Sequence, residues 1–332
     1  MVIERKIKFG IIGCGRISHA HCEACKNLRE EVMIEAIADI NKKHLVEFSR
    51  KYQVKKIFSD YNDLLKDKEI DAVIICLPYY LHKQVTIDAL RSGKHVLVEK
   101  PMALNYVQAQ KIAEIAEKEN RKLMIGQSRR FCDAVMDMKK RIDKADIGEL
   151  FRMIINFLVF FEEAPTDWWN KKDMAGELIT LLQGSHSVDT VVWFFNRLPI
   201  RVYSINYIKK FPVVDEGDIL LDFGDATASI HLSLNTKPAI HEILAIGTSG
   251  LMKLSEYPLN KAFSFGYRLE KNGKCILDGK QEPSNYTIQL KEFVRSLKEN
   301  REPLTGGKEI LRTMRVIDAI LESISSNKVI EL

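Results

Sequence analysis

The chain has 332 residues, 46% hydrophobic and 29% charged, a length that accommodates two domains with separate cores. Its 50 basic and 45 acidic side chains leave a net charge of +5 in short, interrupted clusters such as Lys139-Lys140-Arg141, which speaks against a nucleic-acid track. No apolar run reaches bilayer length and the start lacks the features of a signal peptide, so a cytoplasmic enzyme, free of nucleic acid and membrane, is expected.

Up to Gly126 the chain alternates strand and helix. Strand-like runs cover 7–12, 33–38, 72–77, 96–99 and 123–125, with helical stretches at 42–52, 81–91 and 106–119 between them. That order predicts a parallel sheet with right-handed crossovers. The second half reads differently. A β-prone run at 150–161 and a helix-compatible stretch at 177–195 precede strand candidates at 201–208, 219–223, 227–234, 242–246, 251–254, 263–270 and 274–277. Strands in succession predict an α+β domain with a mostly antiparallel sheet, closed by helices at 285–297 and 308–323. The expected domains are 1–127 and 128–332.

Strand 7–12 runs into Gly13-Cys-Gly-Arg-Ile-Ser18. The two glycines allow the tight turn and close backbone approach that a pyrophosphate needs, and the helix that follows offers free N–H groups. The next strand ends at Asp39, 24 positions after Gly15, near the spacing of an acid that accepts from ribose hydroxyls. An acid there repels a 2′-phosphate, so NAD is expected over NADP, with Lys42 and Lys43 able to soften the preference. Strand 96–99 delivers Lys100 at its carboxyl end, the edge on which an open parallel sheet binds its ligands. Hydride transfer requires a group that exchanges a proton with the substrate oxygen, and Lys100 is the candidate. Cys22-Glu-Ala-Cys25 lies inside the first helix without a second such pair; packing accounts for it and no metal is expected.

Six blocks resemble the Gfo/Idh/MocA oxidoreductases (glucose–fructose oxidoreductase/inositol dehydrogenase). They are Gly13-Cys-Gly-Arg-Ile-Ser-His-Ala-His21, Cys76-Leu-Pro-Tyr-Tyr-Leu-His82, Gly93-Lys-His-Val-Leu-Val-Glu-Lys-Pro101, Gly126-Gln-Ser-Arg-Arg-Phe131, Gln183-Gly-Ser-His-Ser-Val-Asp189 and Pro303-Leu-Thr-Gly306. The resemblance implies a Rossmann domain followed by a substrate-binding and oligomerisation domain. It implies an NAD(P)-dependent enzyme acting on a secondary alcohol or carbonyl of a sugar or cyclitol, assembled as a homodimer or homotetramer through the second sheet. Carried over, Lys100 is the lysine of the E-K-P motif and His186 the histidine of G-x-H-x-x-D, which the resemblance makes the catalytic pair, with His186 the orienting or proton-exchanging partner. Arg16, Ile17, Leu77, Pro78, His82, Glu99 and Lys100 itself, which the resemblance places against the nicotinamide ribose as well as the substrate oxygen, join Gly13, Gly15 and Asp39 on the cofactor side. Trp169, Gln183, Tyr286 and Arg129 are candidate substrate contacts; Arg129 and Arg130 are read either as anion binders or as partners of acids at the domain junction.

Two positions depart from the family pattern. Tyr79 stands where asparagine usually ends the T-P-N loop. Leu182 stands four residues before His186, where relatives usually carry aspartate or asparagine. Leucine neither donates nor accepts a proton. The alternative expectation is therefore a dinucleotide-binding sensory or scaffolding protein with altered or lost catalysis.

Overall fold

The computed structural model describes residues 5–259 and 263–332. Packing divides the chain into two compact units: residues up to Ser128 with Pro283–Leu311, and Arg129–Glu282 with Arg312–Leu332.

The first unit contains β1 (Ile7–Ile12), α1 (Ser18–Asn27), β2 (Val32–Ala38), α2 (Lys42–Tyr52), β3 (Lys56–Phe58), α3 (Tyr61–Lys66), β4 (Ala72–Ile75), α4 (Tyr79–Arg91), β5 (His95–Glu99), α5 (Tyr106–Lys118) and β6 (Leu123–Gly126). The strands pair in parallel in the order β3-β2-β1-β4-β5-β6. That order reverses direction between β1 and β4, which creates the crevice where doubly wound sheets bind ligands. Ala-Val-Ile-Ile of β4 is buried throughout, as expected of a central strand covered on both faces. Each of its Val and Ile side chains contributes about 1.5–3 kcal/mol by leaving water.

Two features were not foreseen. β3 has three residues, too few for a hydrophobic period to register. More consequentially, one cut between 127 and 128 does not describe the packing, because Pro283–Leu311 returns to the first unit. There α9 (Asn285–Lys298) packs on α1, burying Leu290, Phe293 and Val294, with the Phe293 ring 6.2 Å from Phe9. An amphipathic pattern shows that a helix buries one face, but it does not name the partner.

The second unit contains α6 (Asp133–Asp143), β7 (Leu150–Phe160), α7 (Lys172–Ala175), α8 (Ser185–Phe195), β8 (Arg201–Tyr207), β9 (Glu216–Asp222), β10 (Thr227–Ser233), β11 (Asn235–Gly247), β12 (Gly250–Pro258), β13 (Phe265–Lys271), β14 (Lys274–Lys280) and β15 (Ile330–Glu331). The division falls within α10 (Gly307–Ser326), whose residues from Arg312 onward belong to this unit. Among the described residues, nine strands form one sheet, ordered β14-β13-β12-β11-β7-β10-β9-β8-β15. All its pairs are antiparallel except β10 with β7. Helix α8 covers part of one face, over β7 and β10. It is shorter than the stretch read at 177–195, because a π turn occupies Thr180–Gly184 ahead of it. Single π turns inside helices occur often at functional sites. Across this one, Leu182 and His186 remain the only part-exposed residues of 181–190.

Candidate active site

In the first unit, the carboxyl ends of β1, β4 and β5 carry the expected cofactor-side residues. Gly13 has φ +94°, and a Cβ there would lie 2.4 Å from the Cys76 carbonyl oxygen, so only glycine fits this turn. At Gly15 a Cβ would meet nothing within 4 Å, which leaves an open approach to the backbone. Helix α1 starts behind this turn with no side-chain cap and no acid in its first turn. The same lack of a side-chain cap holds for α4, which follows Leu77 and Pro78. By contrast, Asn41 caps α2 and Asn105 caps α5. Uncapped amide groups beside an open glycine turn fit the pyrophosphate of a dinucleotide.

Asp39 follows β2 half-buried and is tied to the turn: its carboxylate accepts from the Cys14 N–H at 2.7 Å and the Asn41 N–H at 2.7 Å. This arrangement fits a ribose diol and disfavours a 2′-phosphate. Arg16 is exposed and Ile17 half-buried at the mouth of the turn.

Lys100 follows β5 and is half-buried; burial pushes its amine down to about 8, while Glu99 pulls the other way. Glu99 is buried beneath it. One carboxylate oxygen lies 2.7 Å from His21 Nε2, and the other accepts from the Lys100 backbone N–H at 3.2 Å. His82 is buried with Nδ1 2.7 Å from the Pro101 carbonyl and Nε2 2.8 Å from the Leu77 carbonyl. The ring thus joins the loop after β4 to the loop after Lys100, and both nitrogens are engaged within the protein. Tyr286, on α9, meets the His21 ring edge-on at 5.4 Å. Cys22 and Cys25 are buried and free, with burial pushing the Cys25 thiol up to about 12. Among the described residues, no cluster of His, Cys, Asp and Glu is able to hold a metal, and no helix is long and apolar enough to cross a membrane.

In the second unit, His186 on α8 lines a small cavity together with Ser187, Thr190 and Arg129, over Phe157 and His241 of the sheet. Two buried ion pairs set its walls. Arg130 grips Asp189 with Nε and an Nη, both at 2.8 Å, and the Thr313 hydroxyl donates to the same carboxylate at 2.8 Å. This anchor fixes α8, and with it His186. Arg129 donates to Glu256 at 2.5 Å. Both arginines therefore pair with carboxylates of their own unit. Although burial works the other way, Arg129 and His241 hold the Glu256 carboxyl down at about 2.

Trp169 is buried edge-on to Phe161, ring centroids 5.3 Å apart, while Trp168 is half-exposed; packing accounts for Trp169. Gln183 is buried in the π turn, its Oε1 without a hydrogen-bond partner among the described residues. His241 and Glu256 escaped the sequence reading. They face each other across β11 and β12, and His241 faces Phe157 across β11 and β7. Only strand register brings them together, and no local motif signals it.

Comparison with known proteins bears on the family and the fold. Residues 7–127 match the Gfo/Idh/MocA profile described as an oxidoreductase family with an NAD-binding Rossmann fold, and residues 135–253 match a C-terminal domain of that family. The myo-inositol 2-dehydrogenase of Thermotoga maritima is 31% identical over 43% of this chain and 42% of its own length, so the chain spans under half of that relative. The 4-carboxy-2-hydroxymuconate-6-semialdehyde dehydrogenase of a Sphingobium species is 25% identical over 94% of this chain and 96% of its own. In fold, the scyllo-inositol dehydrogenase of Lactobacillus casei, solved with NAD(H) and scyllo-inositol, superposes with a TM-score of 0.83 at 21% identity, over 98% of this chain and 99% of its own. Successive matches to both domains, over units that carry the motif blocks in order, show that the chain belongs to the Gfo/Idh/MocA oxidoreductase family, its first unit being the family's NAD-binding Rossmann fold.

Proposed function

We propose that the protein is an NAD-dependent dehydrogenase or reductase that interconverts a secondary alcohol and a carbonyl on a cyclitol, sugar or related ring. The observation that carries this reading is the desolvated amine of Lys100 at the carboxyl end of β5, two strands from the glycine turn of β1. The bound nicotinamide supplies the hydride donor or acceptor. Lys100 exchanges the proton of the substrate oxygen, since an amine that titrates near 8 is present in both forms near neutral pH. Glu99 holds the Lys100 backbone in place, and His82 fixes the loop that follows it. His186, part-exposed in the second unit, orients the ring or shares the proton exchange. The relatives named for inositol support a polyol as substrate.

The test is NADH formation from NAD with a panel of cyclitols and sugars. The proposal expects turnover with a subset of rings and a Lys100→Ala variant that binds NADH but reduces NAD at least about a hundredfold more slowly. Leu182 motivates a second reading, a dinucleotide-binding protein without turnover. Tight NADH binding with no ring oxidised above background would support it.

We also propose that copies of the chain associate through the open face of the second sheet, where Ile205, Tyr207, Leu220 and Tyr257 are each more than a third exposed. Light scattering after size exclusion measures this directly; a monomer at micromolar concentration would refute it.

A further inference from the structure

The cavity under His186 has a wall whose hydrogen-bonding polarity is set from behind. His241 lines it, its ring stacked on Phe157 at 4.0 Å and 14°. His241 Nδ1 lies 2.7 Å from Glu256 Oε2, and the same oxygen accepts from Arg129 at 2.5 Å. The Glu256 side chain is only 3% exposed and lies behind both residues. A carboxylate paired with a guanidinium accepts and does not donate, so the imidazole proton sits on Nδ1. Burial pushes the His241 imidazole below its ordinary range, against the pull of Glu256, so a second proton is disfavoured. Nε2 is then a lone pair, with no hydrogen-bond partner among the described residues. Arg129 lines the same wall, but Glu256 already balances its charge.

We propose that this wall is a substrate subsite for a neutral hydroxyl group, which donates to His241 Nε2, and that it rejects a carboxylate at the same position. The inference rests on the ring-oxidising reading above and narrows it to uncharged polyols. A hydroxyl satisfies the lone pair. A carboxylate brings only lone pairs of its own, meets no uncompensated positive charge, and loses its hydration on entry. The cavity admits a group about the size of a hydroxyl, and its remaining lining of Phe157, Ile155 and Ile243 offers no charge to an anion.

The test is calorimetric binding to the full chain saturated with NADH, using myo-inositol, then glucose and glucuronate as a matched neutral and acidic pair. The wild type is expected to favour glucose over glucuronate by at least about tenfold. In Glu256→Gln the tautomer is released and Arg129 becomes uncompensated, so the preference moves toward glucuronate by at least about tenfold. If thermal unfolding shows that this variant does not fold, His241→Gln serves, with loss of the neutral preference expected. Equal or tighter glucuronate binding by wild type, or an unchanged ratio in the folded variants, would overturn the subsite. NADH formation from both rings at equal efficiency would also overturn it while leaving the dehydrogenase reading intact. The expected preferences without any NADH formation would sustain the subsite and refute the dehydrogenase reading.

Discussion

The two units build their chemistry from opposite kinds of information. In the first, each candidate residue is set by its own strand end: Gly13 after β1, Asp39 after β2, Lys100 after β5. In the second, the cavity wall is set by register, because His241 meets Glu256 and Phe157 only through pairing with β12 and β7. A strand-end site survives small shifts along the strand. A register site does not, since a one-residue slip turns every side chain to the other face.

The largest expected effect lies in the strand-end site. Lys100→Ala should lower kcat by about 10²–10⁴-fold, the usual worth of a positioned acid or base, in a variant that still binds NADH by fluorescence. Unchanged kcat would remove the residue from the chemistry. Next comes the anchor of the second unit. Asp189→Ala leaves the buried Arg130 guanidinium without its carboxylate and should cost about 3–5 kcal/mol in urea unfolding. A loss below about 1 kcal/mol would mean that α8 is held by apolar packing alone.

The contrast between the units explains what the sequence discloses. Alternation of strand and helix, the glycine turn, Asp39 and Lys100 are local patterns, and the structure places them on the elements read for them. The return of α9 to α1 is a long-range packing choice between amphipathic surfaces. The π turn before α8 adds one residue to a turn, which a helical period blurs rather than marks. Arg129 and Arg130 are visible as a charged pair, but whether they face an anion or a carboxylate depends on Glu256 and Asp189, 127 and 59 residues away. Trp169 carries an aromatic face that also suits a sugar, and its burial against Phe161 is likewise a matter of packing.

Two smaller effects sharpen the account of the first unit. Asp39→Ser removes a charged acceptor and should weaken NADH binding by at least about tenfold while narrowing the gap to NADPH. Equal loss for both cofactors would show that Asp39 braces the turn and does not read the ribose. Asn41→Ala removes the α2 cap and should cost about 1 kcal/mol of stability, with NADH affinity unchanged.

The most direct measurement is the pH dependence of single-turnover NAD reduction with a ring substrate. In this direction the Lys100 amine must be unprotonated to take the hydroxyl proton. Its ordinary value of 10.5 is lowered to about 8, so the rate should rise with pH through about 8 and then level. The reverse reaction should fall over the same interval, and both profiles should vanish in Lys100→Ala. A profile that is flat through this interval in wild type, or that persists in the variant, would contradict the assignment of proton exchange to Lys100.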